Sequence, residues 1–282
     1  MATLFPVALV LAQAVSWATG RPPECADPGG RAGNVWERAR APELRRYCDL
    51  VAGASSRLAG TAAMAESALA SAREADGVLP GHAAPLVLEG RALAALGKLD
   101  EARKALSDAR ARDPGALDDP LALLALARVL ARTGHPDEAA DAYRALLPRA
   151  SALSSSARAA ASVEAGLVSM SRSAARLDEA VASLREGARE GQEETQAVAV
   201  IALALALDRR GDADESRALL AERPHGDPRA ALGSPRAREL VAVAPGEVDA
   251  MVGLALEGSD AAGARDAWSA YVAAAPNGPW AA

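Results

Sequence analysis

A short phrase recurs along this 282-residue chain. LDEA stands at Leu99–Ala102 and again at Leu177–Ala180, PDEA at Pro136–Ala139, and ADES at Ala213–Ser216. Aligned on the small residue that closes it, six copies fall at Ala65, Ala102, Ala139, Ala180, Ser216 and Ala264, at intervals of 37, 37, 41, 36 and 48 residues. Self-similarity at such a period marks stacked supersecondary units, because one unit is too small to bury an apolar face alone.

The pattern inside each copy is helical. Leu86, Gly90, Leu93 and Gly97 are spaced as one face of a helix, and Leu99, Ala102, Leu106 and Ala109 as one face of a second. Gly60, Gly97, Gly134 and Gly211 stand where a first helix ends and positive φ is wanted. Asp119-Pro120 and His135-Pro136-Asp137-Glu138 read as helix starts, with Pro in the first turn and carboxylates at the positive end of the dipole. Half the residues are hydrophobic but only 3% are aromatic, so the interior is Ala, Leu and Val, which suits closely approaching helices. The expected fold is all-α: an α-solenoid of about six stacked antiparallel helix pairs.

Small residues at Gly90 and Ala102, a turn glycine at Gly97, a large apolar residue at Leu106, a small one at Ala109 and a proline at Pro114 together resemble the tetratricopeptide repeat. Ala127, Leu130, Gly134, Ala139 and Tyr143 make the next unit, and Gly53, Gly60, Ala65, Leu69 and Ala72 the one before. Val168, Ala175, Ala180 and Leu184 follow, then Ala204, Leu207, Gly211, Leu220 and Pro228, then Ala264, Trp268, Tyr271 and Pro276. The resemblance covers 43–278 and is interrupted at 229–245, a stretch that fits no unit. It implies a superhelical, non-catalytic scaffold that binds a protein or peptide partner. Ligand contacts in that family come mainly from the first helix of each unit. The matching positions here are Tyr47, Leu50 and Arg57, then Val87 and Arg91, Leu124 and Arg128, Arg172, and Val198, Ile201 and Leu205. Arg57, Arg91, Arg128 and Arg172 then form a track for an acidic segment through forked, charge-assisted hydrogen bonds. The alternative is that these are ordinary surface arginines paired with neighbours such as Glu89 or Asp141.

Residues 1–20 are uncharged and apolar and end in small residues, which reads as a secretory signal peptide, and the run is short for a membrane span. Residues 21–42 form a Pro/Gly-rich amino-terminal segment ahead of the repeat domain. In an exported chain, periplasmic or extracellular, Cys25 and Cys48 read as a disulfide contributing roughly 3 kcal/mol and tethering that segment. A lipid-attached Cys25 is the rival, although Arg-Pro-Pro-Glu is a poor match to the small apolar residues such a site requires.

The remaining composition argues against chemistry. A net charge of −6 spread among interleaved Arg and Asp/Glu disfavours nucleic acid. His82, His135 and His225 are isolated, and no phosphate loop, nucleophile elbow or zinc motif occurs, so neither cofactor, metal nor catalytic residue is expected. Asp212, Asp214 and Glu215 read as a helix start. Trp280 either closes the last helix pair or meets a partner. Two further readings compete with the scaffold: a self-associating structural element, and an enzyme with no short motif.

Overall fold

The computed structural model describes residues 22–25, 35–59, 62–222, 226–274, 276 and 280. The expected leader at 1–20, the turn at Gly60 and the side chain of His225 lie outside them. Among the described residues there are fourteen α-helices, six short 3-10 turns and no strand. The fold is therefore all-α, of α-solenoid type, and the chain divides into two compact units, 1–129 and 130–282.

The first unit holds α1 (Val35–Leu58), α2 (Ala65–Val78), α3 (Ala83–Ala95), α4 (Leu99–Arg112) and the greater part of α5 (Pro120–Arg132). Here α1 packs on α2, α2 on α3 and α3 on α4, the order a helix-pair repeat requires. α1 begins ahead of position 43 and takes in Pro42, so the amino-terminal segment is shorter than its composition suggests. The α3–α4 turn is closed by Gly97 at φ 75°. Its N–H reaches the Ala94 carbonyl at 3.1 Å and that of Lys98 reaches Leu93 at 2.9 Å, so two carbonyls left over at the helix end are satisfied. Gly134 and Gly211 adopt the same left-handed conformation at their turns.

The second unit holds the rest of α5, then α6 (Pro136–Leu146), α7 (Ser155–Met170), α8 (Leu177–Glu190), α9 (Glu193–Arg210) and α10 (Ala213–Glu222). After these come α11 (Pro228–Gly233), α12 (Pro235–Val241), α13 (Val248–Leu256) and α14 (Ala261–Ala274). The stretch 229–245 folds into the two short helices α11 and α12, each started by a side-chain cap. Asp227 accepts from Arg229 N–H at 2.9 Å and Ser234 from Ala237 N–H at 3.2 Å.

One contact recurs in the pairs. A Cβ at Gly90 would sit 2.6 Å from Leu106 Cγ and 3.3 Å from the Ala102 carbonyl, so α3 and α4 touch backbone to side chain. Gly166 meets Leu184 and the Ala180 carbonyl in the same way, and Gly253 meets the indole of Trp268. Gly166, not Val168, is thus the small residue of the fourth unit. The connection from α7 to α8 contains a 3-10 turn at Ala174–Arg176 and lengthens the path between the partner residues by two positions.

α9 occupies the middle of the second unit. Val198 to Leu207, ten consecutive residues, are all buried. A helix that is apolar all round belongs inside. α7, α8, α10, α11, α12 and α13 all pack on it.

Candidate functional site

The structure places the expected partner-binding residues in different settings. Arg57 is half-buried on α1, and its Nη1 donates to Ser71 Oγ at 3.0 Å. It lines an open groove of about 510 Å³ with Arg45, Arg46, Asp49, Leu50 and Ser71. Arg46 in that groove is engaged with Glu74 at 2.6 Å. Arg91 lies on α3 with a side chain only 10% exposed, 3.7 Å from the Asp119 carboxylate. Burial pulls the guanidinium of Arg91 below its usual range against the pull of Asp119. Burial likewise pushes Asp119 up, opposed by Arg91 and by the N–H groups of Leu121 and Ala122. Arg128 is half-buried on α5, and Leu124 and Tyr47 are buried.

Arg172 departs most from expectation. It lies beyond the end of α7, because the inner stripe of that helix is set two residues earlier, and both of its forked nitrogens bond Asp137, at 2.6 and 3.0 Å. Glu89 and Asp141, weighed as partners for the track arginines, are taken instead by Arg73, and by Arg144 and Arg176. Arg172 is therefore not held on a helix face as Arg91 is.

Part of the inner stripe in each unit is covered by the chain itself. In the first unit, Cys25 and Cys48 form a disulfide with Cα atoms 5.7 Å apart, which lays Pro22–Cys25 against α1 and α3. Pro22 is buried among Val51, Ser55, Ala84, Val87 and Leu88, above Arg91 and Asp119, leaving a gap of about 20 Å³. Tyr47 Oη donates to the Glu24 carboxylate, and His82 Nδ1 is 3.5 Å from the same oxygen. Burial and that carboxylate hold the Tyr47 phenol far above its ordinary range.

In the second unit α12 packs on both α7 and α9. Val198, Ile201 and Leu205, aligned with ligand-contacting positions, are core residues at 0–1% exposure. Near them Arg209 is buried 2.7 Å from Glu247, donates to Tyr271 Oη at 3.0 Å, and lies 4.9 Å from the centre of the Trp280 ring. Trp280 Nε1 in turn donates to the Met170 carbonyl at the end of α7, so Trp280 closes onto its own chain. Burial pushes the Glu247 carboxyl up, against the opposing effect of Arg209. Of this centre the sequence singles out Trp280 but not Arg209 or Glu247. The unbroken apolar run of α9, ending in two arginines, was the signal for it.

Asp214 and Glu215 occupy the first turn of α10, and Arg217 and Arg185 pair with them. No described helix is long and apolar enough to cross a membrane.

The model of the tetratricopeptide repeat family matches residues 87–155. No curated protein matches the chain. Among solved structures it is similar to "Structure of Naa15/Naa10 bound to HypK-THB", with TM-score 0.40 and 16% identity over 83% of this chain and 37% of that one. It is also similar to "Crystal structure of APC/C hetero-tetramer Cut9-Hcn1", with TM-score 0.38 and 14% identity over 87% of this chain and 55% of that one. The chain thus spans well under two thirds of the length of either. The tetratricopeptide-repeat match thus falls on residues 87–155, the stretch that holds the Gly90–Leu106 contact.

Proposed function

We propose that this chain is a non-catalytic scaffold that binds a protein partner outside the reducing cytoplasm, as an adaptor at a bacterial cell envelope. The repeat supports the binding role, since stacked helix pairs offer a long surface for partners without a specialised site. The Cys25–Cys48 disulfide is the observation that carries the compartment, because such bonds persist where thiols are not kept reduced. The apolar leader at 1–20 agrees with it.

Crosslinking in the native host, purification and mass spectrometry test both halves at once. The expected result is a reproducible envelope partner, together with a mature amino terminus near Arg21. A mature chain beginning at Met1 with free thiols would overturn the compartment. Purification of the chain with only copies of itself would replace the adaptor by a self-associating element, and light scattering would show its mass rising with concentration.

A further inference from the structure

We propose that the groove between α1 and α3 is a recognition site for a short, turn-forming partner segment in which proline precedes a carboxylate, and that Pro22–Cys25 is its tethered internal occupant. This rests on the scaffold reading and names the surface and the ligand chemistry.

The occupant is seated as a ligand would be. Pro22 is a rigid apolar group with no N–H to leave unsatisfied, and it fills the slot between Val51, Ala84 and Val87 down to a gap of about 20 Å³. Two residues on, Glu24 presents its carboxylate to Tyr47 Oη, a hydroxyl on a side chain that is otherwise fully buried. A buried phenol needs a partner for its hydroxyl, and a carboxylate acceptor gives the stronger, charge-assisted form of that bond. His82, 3.5 Å from the same oxygen with its ring 5.5 Å from that of Tyr47, adds a second polar group at the carboxylate. The segment itself is four residues long with one internal backbone hydrogen bond, from Cys25 N–H to Pro22 O at 3.0 Å. Such a piece has no fold of its own and is held by the groove and by the disulfide. Tethering by backbone and disulfide raises its local concentration to the millimolar range, so a free segment of the same chemistry competes poorly until the disulfide is opened and the internal carboxylate is removed.

The test uses the full mature chain and a fluorescent peptide, Arg-Pro-Pro-Glu-Ser, matching residues 21–25 with serine in place of the cysteine. The latch is removed by Cys25→Ser and Cys48→Ser, and the internal carboxylate by Glu24→Ala. Anisotropy should show the peptide binding this triple variant at least tenfold more tightly than the disulfide-bonded chain. A peptide with Gln in place of Glu should lose about tenfold on the triple variant, as expected for loss of a hydrogen bond to a charged group. Equal binding to latched and unlatched chains, or no binding to a triple variant whose helicity is intact, would overturn the proposal. If the triple variant does not fold, the Glu24→Ala chain with native Cys25 and Cys48, reduced by dithiothreitol, serves in its place with the same two outcomes. Doubling of mass on unlatching, with no peptide binding, would assign the groove to a second copy's amino-terminal segment and also overturn it. A partner captured by crosslinking despite a failed peptide test would leave the scaffold standing and place its contact elsewhere.

Discussion

Two glycines in similar helices have opposite roles, and the difference lies in what faces their Cα. At Gly90 the methyl of an alanine would press on Leu106, itself fully buried, and on the Ala102 carbonyl, neither of which has room to yield. Gly90→Ala is therefore expected to destabilise the chain by about 1–3 kcal/mol. Gly77 is exposed in α2 with nothing within 4 Å of the same position, so Gly77→Ala should stabilise by about 0.5 kcal/mol through lost freedom in the unfolded chain. Paired urea titrations check both, and two changes of the same sign would contradict the packing argument. Glu247 gives a prediction in pH. A carboxyl whose folded pKa lies above its unfolded value binds more protons when folded, so its contribution to stability is present at low pH and lost as pH rises between the two values. Burial raises Glu247, so the stability of the native chain relative to Glu247→Gln should fall over the pH range that starts at the ordinary glutamate value of about 4 and runs upward. A difference that stays constant across that range would show that Glu247 titrates as an exposed glutamate does.

At the scale of elements, the parts legible in the sequence are those that repeat. Gly97, Gly134 and Gly211 mark left-handed turns because each turn is local and is written in the same way each time. The pairing of Gly90 with Leu106 was equally readable, since both ends of the contact sit at fixed offsets from Gly97. The α7–α8 connection was misread because Ser171 to Arg176 contains no glycine to mark the turn and adds length without breaking the helical pattern on either side. That slip moved the inner stripe to Gly166 and put Arg172 outside the helix. The amino-terminal cover, α11 and α12, and the Trp280 closure occur once each, so periodicity carries no information about them. Trp280→Ala tests the last of these. It removes a cation–π contact and a hydrogen bond and uncovers Arg209, for an expected loss of about 2 kcal/mol by chemical denaturation. An unchanged midpoint would mean that the carboxy-terminal closure contributes nothing to the fold.

Over the whole chain, repetition supplies the architecture and the unrepeated pieces give it individuality. Parts of the inner stripes that the resemblance marks for ligands are covered within each unit by segments of this chain, Pro22–Cys25 in one and α12 in the other. The arginines are expected on inner faces from position alone, and position does not reveal that Pro22 lies beside Arg91. The central helix has one more consequence. Val198 to Leu207 is withdrawn from water along its whole length in the folded protein, and before folding the same apolar run is open to the wrong neighbours. Its ten residues contain no charge and no proline, and the acidic pair Glu193 and Glu194 on one side and the charged run Asp208, Arg209 and Arg210 on the other flank them as gatekeepers. A chain that emerges into a crowded compartment must bring α7, α8 and α12 around this strip faster than it meets a second copy. Dilution and speed, more than final stability, then decide how much of it survives.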